Sequence, residues 1–421
     1  MEINSFKGRD ECLLCDGISL RKIVDLGLTP LANKLVRDKM TNSYLYPLEL
    51  FVCQECGHVQ LGIVLDTGYV FSDYPYRSNA GITSRNRLEK LAINLLKRFK
   101  TESSAQSFKI FEIGSNDGTL LNFFNQLGCT VLGIDPVAEA VVEAKFMGIE
   151  TINSFFSNKT LITNPEVLDE WNLIIINNVL AHTNYVQDIL EAITKLMSDK
   201  TVLVIEFSYL VDVYEKNLFD TIYHEHTSYF CIAPLARILN RFGLKIFDVE
   251  RFDAHGGSAR VFVVKNNNGV EVKPSVNNIL AHEKQLDLVS GSSWIIFRNN
   301  LNSLNLKIAR SLSILGQNNK IVGYGVPAKF STMFYGLGLE QSSFDYFVDD
   351  NPHKVGKLVP GLKHEIYPVE YLFETKPKVI FVFCWNYAVD VERFVRRECD
   401  FIESIIIPLP KFEIIEISDS Q

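Results

Sequence analysis

The chain has 421 residues, a hydrophobic content of 47%, a charged content of 22% and a formal net charge of −8. This length allows two or three domains with sizeable cores. The acidic balance argues against a general nucleic-acid or anionic-membrane surface, because both need clustered positive charge. We see no apolar run after a basic start, as in a signal peptide, and no apolar stretch long enough to span a bilayer. We therefore expect a cytoplasmic protein with neither a nucleic-acid nor a membrane partner.

Four of the eight cysteines form two pairs, Cys12-Leu-Leu-Cys15 and Cys53-Gln-Glu-Cys56. Each CxxC turn can direct both thiolates to one metal ion, and two such turns complete a tetrahedral site. Four protein thiolates leave no open position, so we predict a structural zinc ion in a zinc-ribbon-like unit. A redox role for either pair alone is one alternative, and replacement of one thiolate by His58 is another. The other four cysteines are predicted to be buried free thiols.

The middle of the chain alternates between apolar runs and helical patterns. A helix is predicted from Thr83 to about Lys100. The predicted strands after it are Phe108–Ile113, Thr130–Ile134, Leu173–Val179, Val202–Phe207, Leu244–Phe252 and Ala259–Lys265. The last two flank a His-Gly-Gly-Ser segment and are predicted to form a hairpin. This order predicts a doubly wound α/β sheet with an antiparallel end.

A long helical stretch over residues 276–316, rich in Glu, Lys and Asn, is predicted to be a surface-facing connector. A second α/β unit follows it. Its predicted strands are Ile321–Gly325, Phe344–Val348, Val379–Cys384 and Ile405–Ile407.

A glycine turn, Glu112-Ile-Gly114-Ser-Asn116-Asp-Gly118, follows the first strand of the middle unit and opens a helix. Its glycines allow a ligand to approach the backbone, but the spacing differs from the G-x-G-x-x-G of pyrophosphate binders. Asp135 ends the next strand, where an acid can accept both ribose hydroxyls. These two acids are arranged as in S-adenosylmethionine methyltransferases. The alternative is a tight turn of the kind found in any α/β fold.

Further residues are candidates for the same site. Pro136 follows the second acid, and Phe155 is a candidate to pack on adenine, with a core aromatic as the alternative. Asn178 and His182 follow the strand that starts at Leu173. Because carboxyl strand ends line the cleft of an open α/β sheet, we expect His182 to face either a ligand or solvent.

A second glycine turn, Gly323-Tyr-Gly325-Val-Pro-Ala-Lys329, follows the first strand of the C-terminal unit, and Asp349 or Asp350 ends the next strand. Taken alone, this pattern predicts a dinucleotide site, and a turn shaped only by packing is the alternative. Lys329 and Lys354 lie near turns after strands and are predicted phosphate contacts. The alternative for them is two solvated surface lysines.

The run Phe219–Phe230 concentrates titratable side chains, with Tyr223-His224-Glu225-His226 at its centre. Imidazole is the side chain best matched to proton transfer near neutral pH, and neighbouring Tyr and Glu can orient it and shift its pKa. A polar loop whose histidines cap the backbone is the alternative. The density of such groups favours a catalytic site.

Taken in order, these motifs resemble the sugar C-methyltransferases over essentially the whole chain. The motifs are the four-cysteine unit, the glycine turn, Asp-Thr-Ile-Tyr-His-Glu-His, His-Gly-Gly-Ser and Gly-Tyr-Gly-x-Pro-Ala-Lys. The resemblance implies an α/β protein of three domains. These are a zinc-binding domain at 1–75, a class I S-adenosylmethionine domain at 76–275 and a Rossmann-like domain at 276–421 that contributes to nucleotide-sugar binding.

The resemblance also implies roles for individual residues. His226 matches the catalytic base, and Tyr223 and Glu225 match its supporting polar groups. His182 matches the histidine of a Val-Leu-Ala-His run. Tyr76 matches an active-site tyrosine, although the residues after it depart from the serine-rich loop expected there.

The predicted reaction is C-methylation at carbon C-3′ of a dTDP- or GDP-linked 4-keto-deoxysugar. His226 would remove the proton beside the ketone, and Tyr223, His224 or His182 would stabilise the enolate oxygen. Alternatives are an O- or N-methyltransferase that uses the same cofactor, a non-enzymatic zinc-ribbon binding protein, and an NAD-dependent enzyme. A monomer is compatible with the sequence, which leaves the oligomeric state open.

Overall fold

The computed structural model describes residues 6–36, 44–66, 68, 70, 77–79, 81–100, 107–254 and 256–417. Tyr76 and His255, which the sequence analysis singled out, lie outside the described residues. The described chain forms three main sheets, of four, seven and six strands, and a short two-stranded one. Among the described helices, none combines the length and apolar character needed to cross a membrane.

The N-terminal domain is built on antiparallel pairing. Its strands are β1 (Lys7–Gly8), β2 (Leu20–Pro30), β3 (Leu45–Cys53), β4 (Val59–Leu61) and β5 (Ile63–Val64). The β2–β3 pair fills the sequence between the two CxxC turns, and β1 pairs with β5. The wide separation of the cysteine pairs is therefore spanned by one hairpin.

The four paired cysteines meet in one cluster. All four Sγ atoms lie within 4.8 Å of one another, with 3.5 Å between those of Cys12 and Cys56 and 3.6 Å between those of Cys15 and Cys53. A tetrahedral zinc ion with Zn–S bonds of about 2.3 Å needs sulfur–sulfur separations of roughly 3.8 Å. The cluster therefore fits the predicted ion.

The central domain is a seven-stranded sheet in the order β12-β13-β10-β9-β6-β7-β8. Its strands are β6 (Lys109–Ile113), β7 (Thr130–Asp135), β8 (Thr151–Asn153), β9 (Leu173–Asn177), β10 (Val202–Ser208), β12 (Leu244–Phe252) and β13 (Ser258–Lys265). All run parallel except β13, which is antiparallel to both of its neighbours. The apolar residues of β9 are fully buried, as expected for a parallel strand covered on both faces. The predicted doubly wound sheet with an antiparallel end is confirmed.

Helices cover this sheet. They are α1 (Ile82–Phe99), α2 (Thr119–Gln126), α3 (Ala138–Phe146), α4 (Thr160–Thr163), α5 (Val186–Leu196), α6 (Leu210–Glu215) and α7 (Ile232–Arg241). Between α6 and α7 lies β11 (Ser228–Tyr229), which leaves the central domain and pairs antiparallel with β4. The N-terminal sheet is thus completed by a strand from the middle of the chain.

The stretch predicted as one surface-facing connector consists of two helices, α8 (Pro274–Leu286) and α9 (Ser292–Leu315). Asp287 (φ +46°) and Gly291 (φ +85°) break the helix between them. Most of α9 faces the surface as predicted, but it is more than a connector, because Trp294 and Phe297 on its other face are among the most deeply buried side chains. Polar residues on the opposite face of α9 obscured its apolar stripe in the sequence.

The C-terminal domain is a six-stranded sheet in the order β16-β15-β14-β17-β18-β19. Its strands are β14 (Ile321–Tyr324), β15 (Tyr346–Val348), β16 (Ile366–Tyr367), β17 (Val379–Val382), β18 (Ser404–Ile407) and β19 (Glu413–Glu416), and its helices are α10 (Phe330–Gly336), α11 (Tyr371–Thr375) and α12 (Ala388–Glu398). Only β19 runs antiparallel to its neighbour in the described sheet. The four predicted strands are present, and the two missed ones, β16 and β19, are short or polar edge strands.

Removal of one thiolate tests the metal site. Wild type should carry about one zinc ion per chain, and Cys53→Ser should lose it and lower Tm by roughly 5 °C or more, because zinc binding is coupled to folding. Cys129→Ser, which alters a buried free cysteine outside the cluster, should keep the metal. Metal analysis and thermal unfolding give both readouts. A zinc-free wild type purified without chelator would contradict the prediction.

Candidate active site

A cavity of about 580 Å³ opens beyond the carboxyl ends of β6, β7 and β9. Its size lies within the range of roughly 300–1,000 Å³ for ligand pockets. Its walls come from the first glycine turn, the loops after β7 and β9, the segment after α6 and one lysine of the C-terminal domain. The sequence-predicted residues that line it are Glu112, Gly114, Asn116, Asp135, Pro136, Phe155, Asn178, His182, Tyr223, His226 and Lys329.

The backbone around the first glycine turn adopts left-handed conformations that favour glycine and asparagine. Gly114 has φ +73°, and a Cβ there would lie 2.2 Å from Cγ2 of Val179. Asn116 and Asn178 also adopt left-handed conformations, with φ +50° and +55°, which asparagine tolerates better than most residues. The turn therefore brings its backbone close to the cavity.

Gly118 differs from the other predicted cofactor residues, because it does not line the cavity. It has φ +76°, and a Cβ there would lie 2.9 Å from the Cβ of Ala144 on α3. Its predicted contact with a ligand is replaced by a packing role, in which the missing side chain allows α3 to approach the turn.

Two buried acids meet the cavity. Asp135 Oδ2 accepts the N–H of Asn116, and Oδ1 accepts the N–H of Val137, each at 2.9 Å. Each oxygen keeps a second lone pair, which suits a ribose hydroxyl. Burial, reinforced by Asp117 and Asp135, raises the pKa of Glu112 well above its usual range. Glu112 Oε2 has no hydrogen-bond partner among the described residues, so it fits a cationic amino group.

The exposed ring of Phe155 adds an aromatic wall to the same cavity. Together, the acid for ribose, the acid for an ammonium group and the aromatic ring suit S-adenosylmethionine. These residues would hold the adenosine and amino ends of that cofactor.

The hydrogen bonds of His226 fix the state of its ring. Nδ1 lies 2.9 Å from the carbonyl oxygen of Thr221, and because a carbonyl only accepts, Nδ1 carries the proton. Nε2 therefore has the lone pair and accepts the hydroxyl of Tyr223 at 2.8 Å. Nε2 is thus the nitrogen that can act as a base, and it accepts a hydrogen bond from Tyr223.

His182 packs edge-on against His226, with 4.7 Å between ring centroids. Burial lowers the pKa of His182 to about 4, which outweighs the raising effect of a backbone hydrogen bond to Glu225. His182 is therefore neutral near pH 7 and does not oppose a positive charge on His226.

The other two residues of the Tyr-His-Glu-His run face away from this cavity. His224 Nε2 donates to the carbonyl of Pro47 at 3.1 Å, and burial lowers the pKa of His224 to about 4. Glu225 Oε1 accepts from Asn33 Nδ2 at 2.9 Å, and burial raises the pKa of Glu225 to about 7. The prediction that His224 can stabilise an enolate oxygen is therefore wrong, since it contacts the N-terminal domain instead.

Sequence reasoning missed Arg87, which lines the cavity from α1 and bonds through Nη1 to Glu206 Oε1 at 2.6 Å. It also missed Trp385 and its pairing with Asp220, which joins the central and C-terminal domains through a 2.6 Å bond from the indole N–H to Asp220 Oδ2. These residues lie far apart in the chain, so no local pattern could have found the pairs.

The two predicted phosphate contacts lie in different cavities. Lys329 Nζ lines the main cavity, 3.7 Å from Asp220 Oδ2 and 5.0 Å from the ring centroid of Trp385. Lys354 lines a second cavity of about 450 Å³ between the N- and C-terminal domains, together with Lys34 and Lys357.

The acid that ends β15 is already engaged. Asp349 Oδ2 accepts from the backbone N–H of Val326 at 2.7 Å and from Lys354 Nζ at 3.0 Å, and Oδ1 accepts from the N–H of Asn351. These bonds brace the second glycine turn. They leave Oδ2 of Asp349 without a lone pair for the ribose contact that an NAD site requires, in contrast to both oxygens of Asp135.

Comparison with known proteins gives matches along most of the chain. Family models match as a zinc binding domain over residues 12–71, a methyltransferase domain over 84–249 and a C-methyltransferase C-terminal domain over 253–410. The C-methyltransferase NovU of Streptomyces niveus is 28% identical over 96% of this chain and 97% of its own length. The chain is therefore similar to a C-methyltransferase over nearly its whole length, and its C-terminal part matches the C-terminal domain of such enzymes. The chain is an S-adenosylmethionine-dependent enzyme with a zinc-binding N-terminal domain, so the alternative of a non-enzymatic zinc-ribbon protein is wrong.

Solved structures are more distant. The plantazolicin methyltransferase BamL, in complex with a desmethyl analogue and S-adenosylhomocysteine, is 14% identical with a TM-score of 0.35, over 44% of this chain and 87% of its own. The magnesium protoporphyrin IX methyltransferase of Synechocystis PCC 6803 is 13% identical with a TM-score of 0.35, over 47% of this chain and 91% of its own.

Replacement of Asp135 tests the cofactor site of the C-methyltransferase. Asp135→Asn should weaken S-adenosylmethionine binding by about one to two orders of magnitude, since a charged hydrogen-bond acceptor is worth roughly 1–3 kcal/mol. Asp117→Asn is the matched control, because Asp117 is a similarly buried acid in the neighbouring glycine turn that does not line the cavity. Calorimetry should show only a small change for this control. Equal losses in both variants would mean that the turn, and not a ligand contact, was damaged.

Proposed function

We propose that this enzyme methylates carbon C-3′ of a nucleotide-linked 4-keto-deoxysugar through an enolate generated by His226. The supporting observation is the shared cavity: His226, with Nε2 as an acceptor, lines the same space as Glu112 and Asp135. The proposed base and the proposed cofactor contacts thus line the same cavity.

Methylation of carbon requires a carbanion equivalent. A proton beside a ketone is acidic enough for a positioned imidazole to remove, which is general-base chemistry. His226 Nε2 takes the proton from C-3′, the electron pair of the broken C–H bond forms a double bond between C-3′ and C-4′, and the π pair of the ketone moves onto its oxygen. S-adenosylmethionine, when bound, supplies the electrophilic methyl group.

Tyr223 supplies the hydrogen bond that the enolate needs. Its hydroxyl donates to His226 Nε2 across 2.8 Å. When substrate takes over the lone pair of Nε2, this hydroxyl is released as a donor for the developing oxyanion. The same contact keeps the imidazole in place before substrate arrives.

The environment of His226 supports a base that becomes charged. Burial lowers the pKa values of His182 and His224 to about 4, so both are weak bases at neutral pH. The neutral ring of His182 against His226 adds no repulsion to the imidazolium that forms. The carbonyl of Thr221, which accepts from Nδ1, favours the charged ring.

The nucleotide-linked nature of the substrate rests on the cationic walls beside this site. Lys329 lies in the main cavity, and Lys34, Lys354 and Lys357 line the second one on a chain of net charge −8. Asn33 also lines the second cavity and bonds to Glu225, next to the proposed base. A substrate with its sugar at His226 and its diphosphate near these lysines would occupy both cavities. The proposal includes either dTDP or GDP as the nucleotide.

The base is tested by His226→Asn, which keeps a hydrogen-bonding shape but cannot take up a proton at neutral pH. Methyl transfer should fall by a factor of roughly 100 to 10,000 or more, while affinity for S-adenosylmethionine stays within about threefold. Incubation with a panel of dTDP- and GDP-4-keto-sugars, followed by mass spectrometry for a methyl gain, gives the readout. His224→Asn is the matched control and should remain active if it folds. Full activity in His226→Asn would remove the proposed mechanism.

The phosphate contacts are tested by the double variant Lys329→Ala/Lys354→Ala. Its KM for the nucleotide-sugar should rise by about tenfold or more, because each lost charge-assisted bond costs roughly 1–3 kcal/mol in a partly buried site. The control Lys378→Ala/Lys411→Ala removes two exposed lysines of the same domain that pair with Glu403 and Glu413. An unchanged KM in the first variant would show that these assignments are wrong.

A further inference from the structure

A fully buried carboxylate, Glu206, lies between two arginines at the end of β10. Arg87 Nη1 donates to Oε1 at 2.6 Å, and Arg260 Nη2 donates to Oε2 at 2.7 Å. Burial alone would raise the pKa of Glu206, but the two arginines hold it below its usual value. The group is therefore an ionised acid with a cation at each oxygen.

The two arginines of this triad have different surroundings. Arg260 also pairs with Glu250 at 3.0 Å, lies over the ring of Phe252 and does not line the main cavity. Arg87 does line it, and only its Nη1 bonds to a described residue. Nε and Nη2 of Arg87 donate to none of the residues that the structure describes. Arg260 thus has both of its terminal nitrogens paired with acids, whereas Arg87 has Nε and Nη2 left over beside the cavity.

We infer that Arg87 binds the α-carboxylate of S-adenosylmethionine through the guanidinium nitrogens that Glu206 leaves available. A guanidinium presents two parallel N–H donors to a carboxylate, which gives a strong and geometrically specific contact. Arg87 is therefore a cofactor-binding residue, and Glu206 is the positioning residue that holds it.

The order of the strands supports this placement. Asp135 ends β7, whereas Glu206 lies in β10, and β6 and β9 lie between them. Three strand spacings of about 4.8 Å separate the two acids by roughly 14 Å across the sheet. A cofactor with its ribose at Asp135 would extend its methionine end over the first glycine turn toward β10.

The charge pattern along that path matches a zwitterion. Glu112 lies in β6 with an unpartnered buried oxygen, and Arg87 reaches the cavity farther along at β10. The acid suits the ammonium group, and the guanidinium suits the carboxylate. Among the described lysines and arginines, Lys329 also lines this cavity, but it is held beside Asp220 and Trp385 at the C-terminal domain.

Three ligands separate a carboxylate contact from a general effect on the site. S-adenosylhomocysteine has both the amino and carboxylate groups, S-adenosyl-3-thiopropylamine lacks only the carboxylate, and 5′-methylthioadenosine lacks both. Calorimetry on the full chain with Arg87→Met should show an affinity for S-adenosylhomocysteine about 10- to 100-fold weaker than that of wild type. Affinities for the two ligands without a carboxylate should stay within about threefold.

Two further variants keep the test decisive. Arg260→Met removes the other cation from Glu206 but leaves the cavity intact, so its affinity for S-adenosylhomocysteine should stay within about threefold. Arg87→Lys keeps the ion pair with Glu206 but lacks the two parallel N–H donors of a guanidinium. Its affinity should therefore fall by roughly 3- to 10-fold for S-adenosylhomocysteine and stay unchanged for the other two ligands. It carries the test if Arg87→Met does not fold. Unchanged affinity in the Arg87 variants, or equal losses for all three ligands, would overturn the inference.

Discussion

The proposed active site depends on one segment, Phe219–Tyr229, that hydrogen bonds from all three domains hold in place. The C-terminal domain contributes the indole N–H of Trp385 to buried Asp220, and the hydroxyl of Thr332 to the carbonyl of Ile222 at 2.6 Å. The N-terminal domain accepts from His224 through the carbonyl of Pro47 and takes β11 as the edge strand of its own sheet. With both neighbours in place, Tyr223 and His226 are left on the side of the central cavity. The geometry of the proposed active site is therefore a product of domain packing as much as of the central fold.

In this arrangement the zinc ion has a structural role and takes no part in the methyl transfer. The cysteines lie outside the cavity, and four thiolates occupy every position of a tetrahedral ion. His58 follows the second CxxC turn, and its Nε2 lies 3.1 Å from Ser228 Oγ in the segment after His226. Burial lowers the pKa of His58 to about 3, so this contact stays neutral over the physiological range. The metal site thus lies in the domain whose sheet includes β11, at the end of the Phe219–Tyr229 segment, so loss of the metal is expected to disturb that segment as well as the N-terminal domain.

Local signals in the sequence predicted the fold and part of the site. The apolar run of β9 and the CxxC spacing are each patterns of a few residues. The strand and the cysteine cluster that they predict are both present, because strand burial and the geometry of a CxxC turn depend on neighbouring residues in the chain. The orientation of the His224 and Glu225 side chains could not be predicted from a local pattern, because it depends on hydrogen bonds to Pro47 and Asn33, which are far away in the chain. The pairing of Arg87 with Glu206 was missed for the same reason, whereas the buried face of α9 was missed because polar residues on its other face obscured the apolar stripe. The glycine turn was identified correctly as a turn, but the packing role of Gly118 against α3 appeared only in three dimensions.

Proton abstraction by His226 is the central claim, and isotope exchange tests it apart from methyl transfer. A dTDP- or GDP-linked 4-keto-deoxysugar is incubated with the enzyme in heavy water without S-adenosylmethionine, and deuterium at C-3′ is followed by mass spectrometry and proton NMR. The account predicts exchange by wild type, exchange by His224→Asn, and none above background by His226→Asn. Exchange by His226→Asn at the wild-type rate would contradict it, and its loss in His182→Asn alone would assign the base to that histidine instead.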